Sequence, residues 1–149
     1  MRYRQYKFKF YLNSHHYIYT NGSKGELHPH SWEIVLYLVK ARQDFVSFAQ
    51  IEKAVEGFFD KYQDKTLNDF APFDTINPTL ENVAEFFKDH LAQIANELGW
   101  ILIMIEMSET PSRSYIISLL DDIELSENQS INTYTDLILE NVRKKDLNK

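Results

Sequence analysis

The chain has 149 residues, with 16 Lys+Arg against 22 Asp+Glu and a formal charge of −6, so a nucleic-acid partner, which needs clustered Lys and Arg, is not expected. Hydrophobic residues make up 44% and aromatics 14%, enough for one well-filled core in a single globular domain. Cysteine is absent, which removes disulfides, thiolate zinc clusters and a cysteine nucleophile, and no apolar run reaches the roughly 18 residues a membrane span needs.

The N-terminus, Met1 to Lys7, alternates charge with aromatic residues where a signal peptide would have an apolar centre, so a soluble cytoplasmic protein without a membrane partner is expected. Residues 3–12 keep a period of two, with Lys7 and Lys9 between Phe8, Phe10 and Leu12, which predicts a half-buried strand. Residues 20–26 hold two of the four glycines and predict a loop. A second strand is predicted from Ser31 to Val39. Ser47 then opens a helix, with Gln50 completing a capping-box pattern and Phe48, Ile51, Val55, Phe58, Phe59 and Tyr62 forming one apolar stripe. A polar connection through Leu67-Asn68-Asp69 leads to Asn77-Pro78-Thr79. Thr79 caps a second helix whose first turn places Glu81 favourably against the dipole. Val83, Phe86, Phe87, Leu91, Ile94 and Leu98 form its apolar face, and Gly99 fits its end. A third strand runs from Trp100 to Met107 and a fourth from Ser114 to Leu120.

Residues 121–149 differ in character: an acidic stretch with Asp121, Asp122, Glu124 and Glu127 precedes an amphipathic helix from about Thr133 that ends in Arg143-Lys144-Lys145. The division expected is therefore a domain over 1–120 and a C-terminal extension over 121–149. The order strand–strand–helix–helix–strand–strand predicts an α+β fold with both helices on one face of a sheet whose edges are open to oligomerisation.

Four of the five histidines lie between positions 15 and 30. His28 and His30, two apart on a strand, share a face, and a third imidazole from a neighbouring strand would complete a three-nitrogen site with a fourth position open, an arrangement zinc accepts. The same spacing also suits histidines at the exposed end of a strand. His90 reads as a partly exposed helix residue.

Four segments together resemble the 6-pyruvoyl tetrahydropterin synthase / 6-carboxytetrahydropterin synthase family: Ser14-His15, Leu27-His28-Pro29-His30-Ser31-Trp32, Asn77-Pro78-Thr79-Leu80-Glu81-Asn82-Val83-Ala84, and Glu109-Thr110-Pro111 followed by Tyr115. They span residues 8 to about 117 in the family's order. The resemblance implies a tunnelling fold, a four-stranded antiparallel sheet with two helices on one face, joined edge to edge into an oligomeric barrel that commonly stacks as a homohexamer, a dimer of trimers. It implies zinc as cofactor on His15, His28 and His30, with His16 on the other side of the strand. It also implies a pterin as ligand, with Glu109 and Thr110 binding its guanidine-like edge, where a carboxylate can accept two parallel N–H donors.

The chain departs from the family in its working parts. The family's cysteine base aligns with Lys24, its Asp-His pair with Gln63-Asp64, and the glycine between the zinc histidines is Pro29. Glu26 and Asp64 are the available carboxylate bases, if desolvation raises their affinity for protons. Lys24 could instead bind an anionic part of the substrate. The function expected is a zinc-dependent lyase acting on 7,8-dihydroneopterin triphosphate or a related dihydropterin with non-standard catalytic residues. The alternatives are a metal- and pterin-binding homologue that has lost catalysis, and a partner-binding homologue acting through residues 121–149.

Overall fold

The protein is described by a computed structural model over residues 3–119. Residues 120–149, with the expected extension and its helix, lie outside the described residues. Strand β1 (Tyr3–His16) is followed by a small hairpin of β2 (Tyr19–Thr20) and β3 (Ser23–Lys24), and then by β4 (His28–Ala41). β1 and β4 pair antiparallel without interruption, from Tyr3 opposite Ala41 to His16 opposite His28. Both strands run further than their apolar alternation suggested, because the ladder continues through polar residues to the two histidines.

Parity organises this pair. Phe8, Phe10 and Leu12 of β1 and Trp32, Ile34, Leu36 and Leu38 of β4 are buried on one face. Helix α1 (Phe48–Asp60) buries Ile51, Val55 and Phe59 against that face, and α2 (Leu80–Glu97) adds Val83, Ala84, Phe87, Leu91 and Ala95. Burying one such aliphatic or aromatic side chain contributes about 1.5–3 kcal/mol, so this layer supplies most of the fold's driving force. Thr79 caps α2 as expected, its Oγ1 accepting from the Asn82 N–H at 3.2 Å, and Gly99 follows the helix at φ +79°. Ser47 stands at the N-cap of α1, but its hydroxyl makes no capping bond, so the expected capping box does not form.

Strand β5 (Lys65–Thr66) pairs parallel with Ser14 and His15 of β1, and a short 3₁₀ turn over Leu67–Asp69 follows it. β6 (Ile101–Thr110) and β7 (Arg113–Ser118) complete the sheet in the order β5-β1-β4-β6-β7. The α+β architecture is as expected, with the two-residue β5 as an added parallel strand, and the last strand ends at Ser118 rather than Leu120.

A bulge in β6 decides what that strand offers the site. Tyr37 faces Met104 but Leu38 faces Leu102, so Ile103 is an extra residue. Leu102 packs into the main core on one side of the bulge, and Ile105 and Met107 do so on the other. The bulge therefore switches the inward-facing positions from even to odd, and Glu109 inherits the helix-side orientation. A second irregularity between Met107 and Thr110 lies beside Glu109 itself. No helix among the described residues is long and apolar enough to cross a membrane.

Candidate metal and ligand site

Extending the even parity of β1 past Leu12 and Ser14 brings His16 to the core face, and the even parity of β4 does the same for His28 and His30. The rings of His16 and His28 lie 4.4 Å apart, those of His16 and His30 5.0 Å, and those of His28 and His30 4.8 Å. One ring nitrogen from each falls within 4.8 Å of the others, close enough for all three to hold a single metal ion. Trp32, fully buried, forms the floor, its ring 5.0 Å from that of His16 and 5.5 Å from that of His30.

Backbone carbonyls set the direction of two of these rings. His16 Nδ1 lies 2.8 Å from the Pro78 carbonyl oxygen, and His28 Nδ1 lies 2.8 Å from that of Glu26. A carbonyl only accepts, so each Nδ1 carries the proton and each Nε2 is left with its lone pair, the tautomer a metal ligand needs. His16 Nε2 is buried and has no hydrogen-bond partner. An orphaned buried acceptor is costly unless something fills its place, and a metal cation is an occupant that this donor set fits. Burial holds His16 and His30 below the usual imidazole range, against the opposing influence of the Pro78 carbonyl on His16 and of Glu109 on both. The neutral form that binds metal is thereby favoured.

Glu109 stands over the triad. Its Oε2 is 3.8 Å from both His16 Nε2 and His30 Nε2, and its Oε1 is 3.5 Å from an Arg113 Nη2. A cleft of about 450 Å³ opens from this point, lined by His16, His28, Glu109, Arg113 and Tyr115 together with Thr79–Glu81 at the start of α2.

The geometry does not bring His15, the expected zinc ligand, into this triad. His15 has odd parity, lies on the opposite face of β1 and pairs with Pro29 and Thr66, whereas His16 joins His28 and His30. Pro29 is accommodated because β4 is paired with β6 only from Glu33 onward, leaving the strand end with β1 as its neighbour. Thr110 lies at the turn, its hydroxyl 3.1 Å from that of Ser112. Lys24 is exposed, its Nζ 4.3 Å above the Tyr17 ring. Glu26 is exposed and meets the triad through its backbone carbonyl. Asp64, at φ +60°, is exposed beside β1, its N–H donating to the Asn13 carbonyl at 2.7 Å. None of these three side chains lines the cleft. His90 is exposed on α2 and stacks on Phe58, as its sequence context suggested.

Arg113 and the Pro78 carbonyl were not among the sequence candidates. The family model for 6-pyruvoyl tetrahydropterin synthase matches residues 5–119. The chain belongs to this family. Among solved structures, the 6-pyruvoyl tetrahydropterin synthase of Caenorhabditis elegans is similar at a TM-score of 0.66 and 17% identity, covering 79% of this chain and 96% of that one. The Plasmodium falciparum 6-pyruvoyl tetrahydropterin synthase is similar at 0.60 and 14%, covering 78% and 98%. A Plasmodium vivax 6-pyruvoyltetrahydropterin synthase, solved as a catalytic-residue mutant with a glutamate replaced by alanine, is similar at 0.61 and 15%, covering 78% and 98%. At these identities the likeness concerns the fold. A search of curated proteins by sequence finds no match.

Proposed function

We propose that the chain is a zinc-dependent pterin-binding protein of the tetrahydropterin synthase type, a lyase acting on 7,8-dihydroneopterin triphosphate or a related dihydropterin. The observation that carries this is the convergence of His16, His28 and His30 beneath Glu109, at one cleft large enough for a bicyclic ligand. His16, His28 and His30 would hold the metal through their Nε2 atoms. Zinc, when bound, would polarise and acidify the side-chain hydroxyls of the substrate. Glu109 would accept the paired N–H donors of the pterin's guanidine-like edge, a charge-assisted bidentate contact that fixes the ring plane.

The proton acceptor is a carboxylate in this proposal, since the chain has no thiol. A catalytic glutamate in the Plasmodium vivax relative is consistent with that chemistry. Glu26 is the first candidate, because its backbone already touches His28. Asp64 is the second. It lies beside β5 and β1 at one edge of the sheet, while Arg113 of the cleft lies on β7 at the other. Joining copies edge to edge, as in a homohexameric barrel, would carry Asp64 of one copy toward the cleft of the next. The domain over 1–120 would then hold the whole site, with 121–149 as an extension.

Zinc-quantified protein incubated with 7,8-dihydroneopterin triphosphate and followed by mass spectrometry tests this directly. Side-chain cleavage is the expected result, abolished by Glu109→Ala. The placement of Lys24, Glu26 and Asp64 outside the cleft of the single chain favours a second reading, a metal- and pterin-binding relative without turnover. Tight pterin binding with unchanged substrate would establish that alternative.

A further inference from the structure

The contacts of Glu109 go beyond a ligand anchor. Its side chain is only 15% exposed, yet among the described residues its carboxylate meets nothing but His16, His30 and the exposed Arg113. The two imidazole contacts come from the nitrogens that point into the metal position, one of them the orphaned Nε2 of His16. A largely covered carboxylate facing the unpartnered Nε2 of His16 is an arrangement that a shared cation would satisfy.

The distances fit a shared ion. Four ligands about 2.0–2.1 Å from a tetrahedral zinc stand roughly 3.3–3.4 Å from one another. Glu109 Oε2 is 3.8 Å from two of the three nitrogens, within a few tenths of an ångström of that spacing. The β6 bulge that turns the odd positions inward is what places the carboxylate there.

We infer that Glu109 is the fourth metal ligand of the ligand-free protein, closing a His16-His28-His30-Glu109 site that a pterin opens by drawing the carboxylate onto its own N–H donors. This rests on the proposed metal and pterin reading and adds a switch to it. With Glu109 on the metal the site has the closed coordination typical of structural zinc. With Glu109 on the pterin the fourth position becomes free for the substrate, as in catalytic sites. Arg113, 3.5 Å from Oε1, balances the charge of the carboxylate in the closed form.

Zinc affinity, measured by chelator competition in the absence of pterin, separates the possibilities. Glu109→Gln is expected to weaken zinc about tenfold or more and to change the visible spectrum of the cobalt-substituted protein, while Glu81→Gln, a carboxylate of the same cleft, stays within about twofold of the parent. Glu109→Asp keeps the charge but shortens the reach, and is expected to lose affinity as well. Full affinity in Glu109→Asp, or equal losses in the Glu109→Gln and Glu81→Gln variants, would show that only cleft charge matters and overturn the inference. So would a Glu109→Gln variant with unchanged affinity and cobalt spectrum. Parent protein that takes up no zinc would overturn the metal reading itself, and this inference with it.

Discussion

At the scale of single residues, the choice between two adjacent histidines is the sharpest matter. His16→Ala should lower zinc affinity by more than the roughly 10–100-fold typical of losing an outer-shell partner, whereas His15→Ala should leave zinc stoichiometry at that of the parent. Equilibrium dialysis of both variants checks this. The distinction was present in the sequence: Phe8, Phe10 and Leu12 set an even inward parity that reaches 16, and His28, His30 and Trp32 share it on β4. The family resemblance pointed to position 15 because Ser14-His15 matches the motif locally, and only the uninterrupted ladder shows that parity persists to the strand end. Proton linkage follows from the same burial. His16 and His30 bind protons less readily folded than unfolded, so the unfolded chain binds more protons as pH falls through about 6.5. The metal-free protein should therefore lose stability between pH 7.5 and 5.5, seen as a falling Tm, and His16→Asn should flatten that slope.

At the scale of elements, two asparagines hold the segment that enters the β2–β3 hairpin. Asn68 Oδ1 accepts from the Tyr17 N–H at 3.0 Å while its Nδ2 donates to the Tyr17 carbonyl at 3.0 Å, and Asn77 makes the same pair with Tyr19 at 2.8 Å each. Each side-chain amide acts as a one-residue strand, closing backbone groups that no ladder reaches. Asn68 is buried, so Asn68→Ala strands two backbone groups and should cost about 1–3 kcal/mol, read from urea denaturation. Trp32→Ala, which removes the floor of the histidine triad, should cost about 3–5 kcal/mol and lower zinc affinity together with stability. The helices and their apolar stripes were legible because a period of 3–4 residues is local. The asparagine clamps were not, since each joins positions more than fifty residues apart and leaves no periodic trace. The β6 bulge was equally hidden: from Trp100 to Ile105 the apolar run is continuous, so alternation cannot reveal where parity changes.

At the scale of the whole molecule, the helices cover one face of the sheet, and the other carries a small aliphatic cluster of Val39 and Ile103 beside charged and aromatic side chains. There Lys9 pairs with Glu33 at 3.6 Å and Lys7 lies 5.7 Å over the Tyr37 ring. β7 is an edge strand carrying Ile116 at 54% exposure. Edge lysines deter strand pairing, so Ile116→Lys should lower the native mass in sedimentation while leaving the Tm of the subunit close to the parent's. The fold class and the shared face of His28 and His30 could be read from the chain, because motif and parity agree there, whereas Glu109 was marked by its motif alone. The two carboxylates proposed as proton acceptor, Glu26 and Asp64, stand outside the cleft of the single chain. The last rung of the long ladder, His16 opposite His28, has a consequence for inheritance and for engineering. The segment joining these residues leaves and re-enters the ladder at two members of the histidine triad, and its tip from Thr20 to Lys24 lies beyond the asparagine clamps and before the Glu26 carbonyl that holds His28. Insertions, deletions and exchanges at that tip can therefore re-equip the rim with a thiol, an amine or an acid while the three imidazoles keep their places, so the rim of the site can diverge faster than its histidine triad.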